Sequence, residues 1–152
     1  MRNGQALVEV IISFALMLVA LVGLVTVATK STSNSGLSQR EAQATAYASQ
    51  AMAWVKSQRS TLSWTEFSAK RGSVYCLPGV DSFDWGTTAV DLANCGLLSG
   101  TEYVRGVTVT GVTYYPTPAG TPIDQIVADV EVRWREGERL VRRRLTAVFT
   151  PH

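Results

Sequence analysis

From Val10 to Ala28 the chain carries no charged side chain, although charges flank this run on both sides. As an α-helix, at about 1.5 Å per residue, the run would be roughly 28 Å long, close to the ~30 Å hydrocarbon core of a bilayer. The remainder has an ordinary soluble composition and is long enough for a modest core. The sequence therefore predicts an apolar N-terminal helix followed by one globular domain.

Two simple interpretations of the apolar run leave something unexplained. A secretory signal peptide would need a shorter apolar stretch, more basic residues than Arg2, and a better cleavage site than Thr26 and Ala28. A plain membrane anchor, with Lys30 just beyond its far end, is permitted by length and charge. However, the anchor gives no reason for Glu9, because a carboxylate inside hydrocarbon costs a few kcal/mol.

A third interpretation accounts for Glu9. The string Gly4-Gln5-Ala6-Leu7-Val8-Glu9 resembles the processing motif of type IV pilins and pseudopilins. In that family a short basic leader ends in glycine, and a prepilin peptidase cuts after it. The fifth residue of the mature chain is then glutamate, ahead of an apolar helix. Cleavage between Gly4 and Gln5 would remove residues 1–4 and make Glu9 the fifth residue.

The resemblance implies that Glu9 acts in assembly. A carboxylate buried among apolar helices needs a partner, or it tends to become protonated. In this family the glutamate meets the freed N-terminal amine of a neighbouring subunit, here that of Gln5. Because the charge is compensated only when the partner is correctly placed, it favours one register of docking.

Two departures from the family pattern affect what the resemblance implies. The first mature residue is usually Phe or another apolar residue that becomes N-methylated, whereas Gln5 is polar, so methylation stays an open expectation. Major pilins often carry a helix-breaking proline that would fall near Thr26, and this chain has none there. Gln5 favours a minor pilin.

The rest of the chain predicts an α+β fold. The apolar helical segment 5–29 is followed by a second helical segment, 30–59. Residues 30–36, at the start of the second segment, are poor helix formers, so they form either a linker or part of one continuous helix. Residues 60–102 are expected to form a variable loop region, and residues 103–152 an antiparallel sheet. Apolar residues recur at helical spacing at Ala44, Tyr47, Ala48, Ala51, Trp54 and Val55. The resemblance implies the pilin fold, in which a long N-terminal helix with a membrane-spanning first half packs on a small antiparallel sheet.

The last two strands are predicted to form a hairpin around Glu136-Gly137. A two-residue turn there would give the pairs Glu131–Arg142, Asp129–Arg144, Val132–Val141 and Ala128–Leu145. This register places opposite charges on one face and apolar residues on the other. Arg143 would nevertheless lie on the apolar face, which the register does not explain.

The loop region contains both cysteines. Cys76 and Cys95 are not spaced as a metal or thioredoxin-like motif, and a disulfide is the default if the domain lies outside the cytoplasm. Such a bond would close a loop of about twenty residues and contribute roughly 3 kcal/mol. Asp81, Asp84 and Asp91 lack the spacing of an EF-hand, and we expect solvated carboxylates rather than a calcium site.

The sequence contains no recognisable catalytic set. His152 is the only histidine, and no phosphate-binding loop or dinucleotide fingerprint occurs, so we expect no enzyme, no catalytic residue, no metal and no cofactor. The candidate interaction patch consists of Arg139, Arg142, Arg143 and Arg144. It could track phosphates of DNA, but the interleaved acids favour ion pairs on a solvated strand face or a contact with an acidic surface of an adjacent subunit, and nucleic acid is the less favoured partner.

Together the resemblance and these features imply a structural subunit, a minor pilin, of a type IV pilus or related filament. The sequence does not choose between adhesion, motility, secretion and DNA uptake as the task of that filament. The expected partners of the subunit are other pilin subunits, prepilin peptidase, the inner-membrane assembly platform, and membrane lipid before assembly. We expect a single-pass cell-membrane protein that later enters an extracellular filament or remains at the periplasmic side or cell surface. The alternatives are a single-span, membrane-anchored extracytoplasmic binding domain that does not polymerise, or a pseudopilin of secretion or DNA uptake.

Overall fold

The computed structural model describes residues 3–115 and 122–151, with side chains from residue 8 onward except that of Ser33. The chain forms two compact units, Met1–Arg40 and Glu41–His152. Helix α1 (Asn3–Thr61) contributes residues to both. It continues through residues 30–36, so the sequence alternative of a non-helical linker is not observed.

Hydroxyl groups in the middle of α1 are satisfied within the helix itself. Each threonine Oγ1 donates to the carbonyl oxygen four residues earlier, in the pairs Thr26–Val22, Thr29–Val25 and Thr32–Ala28. These bonds keep the hydroxyls from competing for backbone groups elsewhere, which is how Thr is accommodated inside a helix. The helix is continuous through this polar segment, and Thr32 is the threonine of the segment that makes such a bond.

The second unit is built on one antiparallel sheet. Its elements after α1 are α2 (Trp64–Ser68), β1 (Ser73–Cys76), β2 (Thr88–Ala89), a 3₁₀ turn at Leu92–Asn94, β3 (Val104–Tyr114), β4 (Ile123–Glu136) and β5 (Arg139–Phe149). The strands are ordered β2-β1-β3-β4-β5. A long N-terminal helix with an antiparallel sheet confirms the predicted α+β fold class.

The segment 60–102 is more regular than the sequence indicated. It supplies β1 and β2 to the sheet, and β1 pairs with β3 over Ser73–Cys76. Strands this short show too little alternation to be recognised by period. Helix α2, in contrast, begins with a capping box that the sequence does display, because Ser63 accepts from the Glu66 N–H and the Glu66 side chain accepts from Ser63.

The core lies between the Glu41–Thr61 part of α1 and one face of the sheet, which we call the inner face. The predicted helical stripe is confirmed, since Ala44, Ala48, Ala51 and Val55 are fully buried. In β4 apolar residues alternate with polar ones, so the predicted separation of apolar and charged residues onto opposite faces is confirmed for this strand. Its inner-face residues Ile126, Ala128, Val130, Val132 and Trp134 are all at least 99% buried.

The predicted hairpin register is wrong by two residues. The turn residues are Gly137 and Glu138, and the observed pairs are Glu131–Arg144, Asp129–Thr146, Val132–Arg143 and Ala128–Ala147. Gly137 has φ +61°, which suits the first position of a type II′ hairpin turn. Because side chains alternate with a period of two, a two-residue shift changes every partner but leaves every residue on its predicted face.

Candidate functional site

Glu9 lies on an exposed and otherwise apolar part of α1. The large apolar side chains from Val8 to Val27 are between 48% and 72% exposed. Among the side chains that the structure describes, no basic group lies within ion-pair distance of Glu9. The helix is long and apolar enough near its N-terminus to cross a membrane, by length and composition. Such a surface is stable only in lipid or against other apolar surfaces.

The predicted cleavage site lies at the beginning of the same helix. Helix α1 begins at Asn3, so the Gly4–Gln5 peptide bond is in its first turn, while both side chains lie outside the described part. Gln5 and Glu9 are four positions apart, a rise of about 6 Å on one helix face. An amine freed at Gln5 would therefore start one turn from the Glu9 carboxylate.

The four arginines of the predicted interaction patch do not form one surface. Strand alternation places Arg139 and Arg143 on the inner face of β5, and Arg142 and Arg144 on the opposite face, which we call the outer face. Arg143 Nη2 lies 2.7 Å from Glu41 Oε2, and Arg144 Nη2 lies 2.8 Å from Glu131 Oε2. Two of the four charges are thus already paired within the subunit.

Glu131 is the centre of the ion-pair network on the outer face. Its side chain is only 7% exposed, and it accepts hydrogen bonds from Arg133 Nε and from Arg144 Nε and Nη2. Burial opposes ionisation of Glu131, but the bonds from the two arginines outweigh burial and hold its pKa below the usual range. This buried carboxylate is charged and structural.

Three outer-face arginines lie near the end of the β4–β5 hairpin, and we call them the arginine triad: Arg133, Arg135 and Arg142. Arg133 lies directly opposite Arg142 across the two strands, and Arg135 is two positions further along β4. Like charges directly opposite each other destabilise a sheet. Arg133 is compensated by Glu131 and lies 3.8 Å from Asp91. In the part of the chain that the structure describes, no carboxylate lies within ion-pair distance of Arg135 or Arg142.

A shallow groove of about 400 Å³ adjoins the arginine triad. Its apolar surface comes from Leu92, Leu97, Val104 and Leu140, and Glu102 lies among the polar lining residues. Leu97 and Leu140 are 60% and 57% exposed. Sequence reasoning missed this groove because three separate segments form it, and no local pattern marks their meeting.

Arg105 connects the loop after β1 to helix α1. It lies on the inner face opposite Val132, is fully buried, and donates to the carbonyl oxygens of Leu77, Gly79 and Tyr47. Its guanidinium carbon is 4.5 Å from the centre of the Phe83 ring. Burial lowers the pKa of Arg105 to about 10. Sequence reasoning missed this buried arginine. Its only sign in the sequence is a charged residue at a position of β3 where the alternation would place an apolar one.

The predicted disulfide Cys76–Cys95 is present, with its Cα atoms 5.3 Å apart. It holds the 3₁₀ turn against the outer face, where Leu92 packs with both cysteines. Gly106 makes this approach possible, because a Cβ atom there would lie 2.3 Å from Leu92 Cδ1. The disulfide and Gly106 together fix one wall of the groove.

Two of the three loop aspartates, Asp84 and Asp91, make local hydrogen bonds. Asp84 Oδ1 accepts from the Gly86 N–H, and Asp91 Oδ1 accepts from the Ala93 N–H. Within the described residues, no group of three or more His, Cys, Asp or Glu side chains is placed to hold a metal ion. His152 lies outside those residues.

Comparisons of the chain with protein-family models, with curated protein sequences and with solved structures find no match. The functional interpretation is therefore based on the N-terminal motif, the exposed apolar helix and the surfaces of the sheet.

Proposed function

We propose that this chain is a structural subunit of a type IV pilus or related filament, processed after Gly4 and assembled through the N-terminal part of α1. The observation that carries the proposal is Glu9. It is the only carboxylate in an exposed apolar helix segment, and it follows the Gly4–Gln5 bond at the spacing of the prepilin motif.

The exposed apolar side chains of α1 would be buried in two successive environments, first in lipid and then in the filament. Before assembly, the apolar side chains between Val8 and Val27 would be in lipid, which removes them from water. After cleavage, they would pack against the helices of other subunits. Glu9 is unfavourable in lipid but becomes favourable when an amine from a neighbour reaches it, so it biases the chain toward the filament.

The second unit supplies the surface that the filament would display. It has its own core, its own disulfide and a five-stranded antiparallel sheet. We propose interaction rather than catalysis as its role, with prepilin peptidase, the assembly platform and other pilin subunits as partners. The polar Gln5 at the start of the mature chain favours a minor pilin, and methylation of its amine remains part of the proposal to be tested.

A second candidate is a single-span anchored binding domain that never polymerises. The groove beside the arginine triad favours it, because an apolar surface with convergent charges is typical of a binding site. This candidate gives Glu9 no function. Substitutions at Glu9 therefore separate the two.

The experiment compares Glu9→Leu and Glu9→Gln with the control Ser13→Ala in cells that have the whole assembly machinery. All three should insert into the membrane and be processed. The Glu9 variants should be depleted at least about tenfold from the filament fraction sheared from the cells, while the Ser13 variant enters it normally. Normal assembly of Glu9→Leu would refute the proposed role of Glu9 and leave the anchored domain.

A further inference from the structure

Within one subunit, the positive charges of the arginine triad are only partly compensated by carboxylates. Arg142 faces Arg133 across the strands, and the described part of the chain offers Arg142 no carboxylate. An anion placed over the outer face would relieve this repulsion. The groove beside it would also take a small apolar group from the same partner.

The same chain has an exposed carboxylate on the other side of the sheet. The loop 79–86, which we call the acidic loop, is held on the inner side by Arg105 and by Phe83, which stacks on Trp54. Asp84 is exposed, and only its Oδ1 is used, by the Gly86 N–H. Because the triad and the acidic loop are on opposite sides of one sheet, they cannot meet within a subunit.

The acidic loop is well suited to presenting this charge. Trp85 Nε1 donates to Gln58 Oε1 at 3.1 Å, and the Trp85 ring centre lies 4.6 Å from that of Trp54. Asp84 is therefore flanked by two anchored aromatic residues. A preorganised loop loses little conformational entropy when it binds, so more of the ion-pair energy remains as affinity.

We infer that the arginine triad of one subunit binds the acidic loop of a second copy, with Arg142 paired to Asp84. This inference rests on the proposed filament function and requires that copies of this chain are neighbours in the filament, because a contact between two different surfaces of identical subunits repeats head to tail. It assigns an interaction surface to the globular units, in addition to the packing of their N-terminal helices.

The test measures the amount of this subunit in sheared filaments, relative to its total in the cells, for charge-reversal variants of the full chain. Arg142→Glu and Asp84→Lys should each reduce incorporation about tenfold or more. The double variant Arg142→Glu/Asp84→Lys should recover most of it. Asp84→Asn, which keeps an oxygen acceptor for the Gly86 N–H, should show a smaller loss from charge alone. Asp81 is left unchanged because its charge acts on Arg105.

Arg139→Glu is the matched control, because Arg139 is an exposed arginine of β5 on the inner face. It should enter filaments normally. Thiol alkylation of each variant shows whether Cys76 and Cys95 are oxidised, and denaturant unfolding followed by tryptophan fluorescence shows whether a depleted variant is folded. A depleted variant with an oxidised pair and unchanged unfolding has lost the contact and not the fold.

Three results would overturn the inference. They are normal incorporation of Arg142→Glu, equal loss in Arg139→Glu, and failure of the double variant to recover. A loss of binding to double-stranded DNA in Arg142→Glu with normal incorporation would also overturn it and assign the triad to nucleic acid. Absence of the unmodified chain from filaments would instead contradict the proposed function itself, so the two failures are distinguishable.

Discussion

Arg143 Nη2 lies 2.7 Å from Glu41 Oε2, and this ion pair joins the edge strand β5 to helix α1. It explains why an arginine lies on the inner face of the sheet. At an edge strand the long side chain can extend past the core and place its charge beside the helix, at the solvent boundary. The side chains of Arg143 and Glu41 are 46% and 37% exposed, so water still screens the pair.

We predict a small energetic effect for this pair. Exposed ion pairs contribute about 0–1 kcal/mol, so Glu41→Gln and Arg143→Gln should each lower the free energy of unfolding by no more than about 1 kcal/mol. Denaturant unfolding of the full chain in detergent, followed by tryptophan fluorescence, measures this for the two single variants and the double variant. A coupling energy above about 2 kcal/mol would show that the pair is far less screened than its exposure indicates.

The carboxylate of Glu131 should make stability depend on pH in the acid range. Its pKa is lowered in the folded state, so the folded state binds fewer protons there than the unfolded chain. Its contribution is fully present above the unfolded pKa of about 4.3 and is lost as pH falls through the lower folded pKa. Unfolding measured from pH 7 to pH 3 should show less acid destabilisation in Glu131→Gln than in the unmodified chain. The exposed turn variant Glu138→Gln should resemble the unmodified chain, and an unchanged pH profile in Glu131→Gln would contradict the network.

Removing the guanidinium of Arg105 should destabilise the second unit strongly. Arg105→Met leaves the carbonyl oxygens of Leu77, Gly79 and Tyr47 without this donor, and we expect a loss of about 3 kcal/mol. Arg105→Lys keeps a charge but cannot reach all three oxygens, so its loss should be intermediate. Equal stability of Arg105→Met and the unmodified chain in denaturant unfolding would show that the contacts are not energetically important.

The close approach at Gly106 predicts an overpacking effect. Gly106→Ala would place Cβ 2.3 Å from Leu92 Cδ1 and 2.8 Å from the Tyr75 carbonyl oxygen, so the 3₁₀ turn must move. We expect a loss of about 1–3 kcal/mol, partly recovered in Gly106→Ala/Leu92→Ala. Gly96→Ala is the control, because nothing lies within 4 Å of its added Cβ. Equal effects of the two single alanine substitutions would contradict this packing.

The parts of the fold that the sequence predicted are those with a long, regular pattern. The alternation in β4 and the alanine stripe of α1 each extend over many residues, so burial on one face is encoded locally. The hairpin register depended on one choice, between a turn at 136–137 and one at 137–138. In the structure Gly137 has a positive φ at the first position of the turn, which corresponds to the turn at 137–138.

Features made by distant segments were not predictable in this way. Arg105 is satisfied by carbonyl oxygens of α1 and of the loop after β1, and no pattern around residue 105 shows them. The groove likewise needs the disulfide and Gly106 to bring Leu92 onto the outer face. The N-terminal motif, in contrast, is readable only in the sequence, because the side chains of Gly4 and Gln5 lie outside the described part and the role proposed for the motif involves partners outside the chain.

The mass and sequence of the N-terminal peptide, taken from cells with the intact assembly machinery, show directly whether the chain is processed as a prepilin. We predict that the mature chain starts at Gln5, with or without a methyl group on its amine, so that Glu9 is the fifth residue. A chain that still starts at Met1, or one that starts near Thr29, would contradict prepilin processing and remove the partner that Glu9 requires.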